Sequence, residues 1–168
     1  GVQGELVAAI SQDGRWALYF ESGTQNVWKI STDRGSPVRV ADRIVGDGGF
    51  SPDGRSLHLS QYVREGGLLH RHIVLLSAED GTPTRKSIPW PDGYGLRWSP
   101  AGDSLSYIKE TDGVGNLWRQ PLDGGAPRQI TDFTSLRVFS YDWSPDGKQL
   151  FLSRGQTTRD VVLIHDFH

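Results

Sequence analysis

A four-residue turn recurs along this chain and limits the folds open to it more than any other feature. Ser11-Gln12-Asp13-Gly14, Ser51-Pro52-Asp53-Gly54, Ser99-Pro100-Ala101-Gly102 and Ser144-Pro145-Asp146-Gly147 start 40, 48 and 45 residues apart. Proline at the second place presets a type I turn, aspartate bonds nearby backbone amides, and glycine accepts the left-handed conformation that closes a hairpin. The flanks repeat too. Ile10, Phe50, Trp98 and Trp143 precede the serine, with Ala8, Gly48, Leu96 and Tyr141 two places earlier. After the glycine come Ala17, Leu57, Leu105 and Leu150, then Tyr19, Leu59, Tyr107 and Leu152. A period of two on both sides of a turn is a β-hairpin.

A third strand follows in each copy: Asn26–Ile30, His72–Leu76, Asn116–Gln120 and Asp160–Ile164. The first three copies add a Gly turn and a short fourth strand such as Arg128-Gln129-Ile130-Thr131, whereas the fourth stops at Asp166-Phe167-His168. No window carries a sustained helical period. Four-stranded antiparallel meanders repeated at this spacing are propeller blades. The expected fold is therefore all-β, a partial or half β-propeller of four four-stranded antiparallel blades. The blades run over about 4–42, 43–90, 91–133 and 134–168, and the propeller domain occupies residues 1–168. Ile10, Phe50, Trp98 and Trp143 are expected to be buried between blades.

Composition narrows the function. A net charge of −2, with Lys and Arg scattered among acids, offers no basic patch, so nucleic acid is not an expected partner. The chain has no cysteine, which removes disulfides, thiolate metal sites and thiol catalysis and leaves the compartment open. No run approaches the roughly 18 apolar residues of a membrane helix, so this segment is not expected to insert. The first residues also lack the pattern of a signal peptide, as expected of a cytosolic chain or a piece cut from a longer protein.

The turn after an aromatic, then Asn116-Leu117-Trp118 and Asp123-Gly124-Gly125-Ala126-Pro127-Arg128-Gln129-Ile130-Thr131, resembles the WD-like repeat of TolB-type propellers. Gln12 departs from that repeat in the first turn and Ala101 in the third. The resemblance implies a ring of six to eight blades, hence the C-terminal part of a longer propeller or a half-ring that pairs with a second copy. It also implies a parent protein with an N-terminal DNA-binding, kinase or peptidase domain.

No residues assemble into a recognisable catalytic motif. There is no Gly-x-Ser-x-Gly elbow, Walker loop, His-Glu-x-x-His or calcium loop, so no catalytic residue, metal or cofactor is expected. His70 and His72 would share one face of a strand but lack an indicated third ligand, and His58 reads as packing between blades. Trp28, Trp98, Trp118 and Trp143 stand at repeated positions and read as core, whereas Trp90, between two prolines, is off the pattern. In a meander the stereotyped Ser-Pro-Asp-Gly turns share one end and the variable loops share the other, where binding residues usually concentrate. The candidate interaction surface is therefore Trp90, Tyr94, Arg64, Glu65, Asp112, Phe133 and Arg137.

The resulting expectation is a non-catalytic scaffold for protein or peptide interaction, the C-terminal sensor or interaction part of a larger bacterial regulator. The alternative is the accessory, substrate-gating propeller of a prolyl-oligopeptidase-like serine peptidase. An open four-blade arc would expose apolar flanks, and a head-to-tail homodimer would close them into an eight-blade ring. Sedimentation tests this expectation: an 18.6 kDa monomer at micromolar concentration would exclude the dimer.

Overall fold

The computed structural model describes residues 5–21, 23–144 and 146–157, and every regular element among them is a strand. The first sheet has the order β1 (Glu5–Ile10), β2 (Trp16–Glu21), β3 (Asn26–Ser31) and β4 (Val38–Ala41). The second is β5 (Ile44–Phe50), β6 (Ser56–Glu65), β7 (Leu68–Ser77) and β8 (Ile88–Pro89). The third is β9 (Tyr94–Trp98), β10 (Ser104–Thr111), β11 (Val114–Pro121) and β12 (Arg128–Gln129), and the fourth pairs β13 (Arg137–Trp143) with β14 (Leu150–Gly155). All neighbouring pairs are antiparallel. The expected third strand at Asp160–Ile164 lies outside the described residues.

Each meander is one blade, and the inner strands β1, β5, β9 and β13 touch in that order. The core sits between blades. Strand alternation sends Leu57 and Leu59 of β6 towards Leu18, Val27 and Val40 of blade one, while Ile73 and Leu75 of β7 pack with Leu96, Leu105 and Tyr107 of blade three. Ile108, Leu117, Val138 and Tyr141 fill the space between blades three and four. Polar ties cross these interfaces. Lys29 is buried and donates to the Ala78 carbonyl, and Tyr141 donates its hydroxyl to Ser106 Oγ at 2.9 Å.

The repeated turn has one geometry throughout. Its glycines lie at φ of 70–71° and donate to the serine carbonyl at 2.8–2.9 Å. The serine hydroxyl accepts from the backbone N–H five residues on and donates to the turn aspartate, which chiefly for that reason keeps its carboxyl below the usual range. In the third turn, where Ala101 replaces aspartate, Ser99 donates to Asp103 at 2.8 Å instead, and Arg119 holds that carboxylate at 2.6 Å. The turns also stack. A Cβ on Gly102 would lie 3.8 Å from Pro52, and one on Gly147 would lie 2.7 Å from Pro100. Gly54 follows the turn that has Gln12 in place of proline, and a Cβ there meets nothing.

The four residues before the serines are not buried alike, which corrects the sequence expectation. Ile10 is 62 % exposed and Phe50, Trp98 and Trp143 are half-buried. Their cover comes from the preceding blade. Trp98 donates its indole N–H to Gly49 O at 3.2 Å, Trp143 donates to Ser106 Oγ at 3.1 Å, and Phe50 packs on the first interface. Ile10 belongs to the first blade, and no core cluster of the described residues lies on its far side. Tyr62-Val63-Arg64-Glu65-Gly66-Gly67, expected as a loop, is mostly strand with only Gly66 and Gly67 in the turn.

Candidate functional site

The C-terminal ends of the four inner strands converge on one concave pocket of about 430 Å³ at the end that carries the repeated turns. Ile10, Phe50, Trp98 and Trp143 supply its apolar wall, and Arg97 and Asp142 its charge. Alternation explains the set. If the aromatic leans sideways on the preceding blade, the residue before it turns towards the axis, and Ala9, Gly49, Arg97 and Asp142 hold that place. Two glycines make the close packing possible: a Cβ at Gly48 would lie 2.6 Å from Leu59, and one at Gly49 would lie 3.0 Å from the His58 ring.

His58 is buried beside the pocket, edge-on to Trp98 with centroids 5.8 Å apart. Burial, and secondarily the Arg97 charge, pushes its pKa down to about 4, while a bond to the Gly49 backbone opposes the shift. The ring is therefore neutral near pH 7, and its Nδ1 has no partner among the described residues. This confirms His58 as a residue packed between blades. Sequence reasoning did not single out Arg97 or Asp142. The available signal was a charge at an inner-strand repeat position where other copies carry Ala9 and Gly49.

The structure divides the sequence-predicted surface. Tyr94, Phe133 and Arg137 meet where blades three and four join. The Tyr94 hydroxyl donates to Val138 O at 2.9 Å, Arg137 pairs with Glu110 at 2.8 Å, and Phe133 lies under the Arg154 guanidinium at 3.5 Å. Trp90 and Glu65 border a separate groove of about 940 Å³ between blades two and three. Trp90 is half-buried, stacked under Arg71 at 3.5 Å, with its indole N–H donated to Gly93 O at 3.0 Å. Arg64 and Asp112 stand apart at two hairpin tips, Arg64 donating to Gly67 O and Asp112 holding φ at +51°.

That groove also aligns Ser87, His72 and Glu65. His72 Nδ1 lies 3.1 Å from Ser87 Oγ, and its Nε2 lies 3.5 Å from Glu65. The arrangement has the partners of a nucleophile–base–acid set, but the repeat gives it another meaning. Asn116, at the equivalent position, bonds Thr131 and Phe133 and so fastens its blade to the segment leading to the next. His72 is the corresponding clasp in blade two. His70, on the same face, is exposed. Among the described residues no group of three or more His, Cys, Asp or Glu could hold a metal ion.

Comparison with known proteins agrees with this architecture. No family model matches the chain. It is 30 % identical over 153 residues to the uncharacterised protein Atu1656 of Agrobacterium fabrum, covering 88 % of this chain and 50 % of that protein. It is 29 % identical over 115 residues to the uncharacterised peptidase YuxL of Bacillus subtilis, covering 65 % of this chain and 17 % of that protein. The chain thus spans half the length of the first relative and about a sixth of the second. TolB from Acinetobacter baumannii superposes with a TM-score of 0.68 at 20 % identity, over 89 % of this chain and 37 % of that one. A putative TolB from Agrobacterium tumefaciens gives 0.62 at 26 % identity, over 89 % and 53 %. The Pyrococcus horikoshii acylaminoacyl peptidase gives 0.60 at 13 % identity, over 90 % and 31 %. The fold is a TolB-like β-propeller scaffold.

Proposed function

We propose that the chain is a non-catalytic interaction module that holds a protein or peptide segment in the pocket at the turn end of its inner strands. The convergence of all four blades on that pocket carries the reading, because no single blade forms it. Apolar walls with a few charged groups suit a recognition pocket, the aromatics providing contact area and Arg97 and Asp142 fixing orientation. Indole and hydroxyl bonds between blades hold the walls in place, which lowers the ordering cost of binding. The reading extends to the C-terminal sensor or interaction part of a larger bacterial regulator.

A photo-crosslinker in place of Ile10 tests the pocket. Irradiation in producing cells is expected to give adducts with a discrete protein, and Arg97→Glu is expected to remove them. Equal yields of the same adducts from a crosslinker at Asp112, on a hairpin tip at the opposite end, would end this reading.

A second reading, the accessory propeller of a prolyl-oligopeptidase-like peptidase, is favoured by the likeness to YuxL and to the acylaminoacyl peptidase. The parent open reading frame separates the two. An α/β-hydrolase nucleophile elbow downstream supports the peptidase, and a winged-helix or kinase domain upstream supports the regulator.

A further inference from the structure

Strands β6 and β7 are ten residues each, against six in the corresponding hairpin of blade one and eight in blade three. The extra length projects from the blade. Pairing of β5 with β6 ends at Gln61, and β8 pairs with β7 only at His72 and Ile73. Tyr62 to Arg71 is thus a two-stranded ribbon whose edges have no neighbouring strand among the described residues, apart from a bond from Trp90 N–H to Arg71 O at its base. Gly66 and Gly67 close it at φ of 58° and 86°, a turn whose twist suits a hairpin, and a Cβ on either meets nothing. The tip therefore stands clear of the other described residues.

Its side chains are unusual for a free edge. Tyr62 is 51 % exposed, Leu68 68 % and Leu69 59 %, and none belongs to a core cluster. Exposed edges are normally blunted by charge, proline or a bulge. The equivalent hairpins are polar: blade one closes with Glu21 bound to Thr24, Asn26 and Trp28, and blade three turns at Asp112-Gly113. Folding of the repeat therefore does not call for the apolar extension.

Trp90 bonding to Arg71 O and Thr84 bonding to Leu75 O show that odd-numbered residues of β7 direct their backbone groups outward. Leu69 accordingly offers its N–H and C=O along the open edge. Arg64 on the ribbon and Arg85 and Lys86 along its adjoining groove stand against Glu65 and Asp123. We propose that the outer edge of β7, Leu68–His70, takes up an extended acidic segment of a partner protein as a third strand. Apolar side chains at alternate positions of that segment would cover Leu69 and Tyr62, and its continuation would enter the groove beside Trp90.

The test selects a phage-displayed random dodecapeptide library on the purified chain and measures the resulting synthetic peptides by fluorescence polarisation. Peptides with alternating apolar residues and acids are expected. Leu69→Pro removes the edge N–H and should weaken them at least tenfold, while a variant joining Gln61 to His72 through Asn-Gly should not bind at all. The shortened variant keeps the Gln61–His72 register, and its circular dichroism should match the parent. Failure to select binders, peptides without the pattern, or binding that survives the shortening would overturn the proposal. So would sedimentation showing that the shortening converts a dimer to a monomer, since the edge would then be taken by a second copy.

Discussion

Replacing Gly81 by alanine is expected to lower the melting temperature by on the order of 10 °C, a cost of about 3 kcal/mol or more for a chain of this size. Gly81 lies in the connection from β7 to β8 with φ of +75°, and its N–H donates to Ser77 O. A Cβ there would sit 2.1 Å from the Val40 carbonyl oxygen. That atom is backbone in β4 of the neighbouring blade, so blade one must move before the methyl fits. The same interface carries the buried bond from Lys29 to Ala78 O and the leucines facing Leu18 and Val27. Gly54→Ala provides the matched control. Its φ is +70° but a Cβ there meets nothing, so it carries only the left-handed backbone penalty of about 1 kcal/mol. Thermal unfolding of both variants decides the point: equal losses would mean that the contact with Val40 is not what demands glycine.

Acidification between pH 6.5 and 4 is expected to cost about 3 kcal/mol of stability through His58 alone, from its pKa near 4 in the fold against the ordinary 6.5. The folded-state value lies below the unfolded one, so folding favours the neutral ring. That contribution is fully present above pH 6.5 and is lost as the pH falls towards 4, because the unfolded chain takes up a proton that the fold refuses. The turn aspartates respond lower down. Their depressed values make their contribution disappear only below the ordinary 3.8. His58→Leu places at this position the residue type of its repeat equivalent, Leu18, and should flatten the profile between pH 6.5 and 4. Denaturant unfolding across that range reads the difference, and an unchanged slope in the variant would refute the assignment.

The blades were legible because turn chemistry and alternation agree in every copy. All four turn glycines adopt the same φ, and Leu57, Leu59, Leu105 and Tyr107 are buried as their register requires. Ile10 was misread because burial at its position comes from a neighbouring blade, which alternation within one hairpin does not reveal. The projecting ribbon was read as a loop for the opposite reason. None of its residues is fully buried, so Arg64, Glu65 and the two glycines obscure the periodic signal that marks a half-buried strand. Asp103 taking over from Ala101 was invisible to a search at a fixed place in the turn, since it stands two residues further on, just past the turn glycine. The pocket was the least legible feature of all. Its lining comes from residues about 45 apart in sequence, each of which reads locally as packing.

Stacking of the repeated turns has a consequence for descent. A φ of 70° alone accepts asparagine in many turns, so the backbone of one blade leaves some freedom at its glycine. At Gly147 that freedom is withdrawn by Pro100, which belongs to the blade before it, whereas Gly54 behind Gln12 keeps it. A gene that gains or loses a copy at the junction of blades three and four must therefore inherit the proline of the one together with the glycine of the other. At that junction the heritable module is offset from the structural one: its boundary falls midway through a turn and not between the blades.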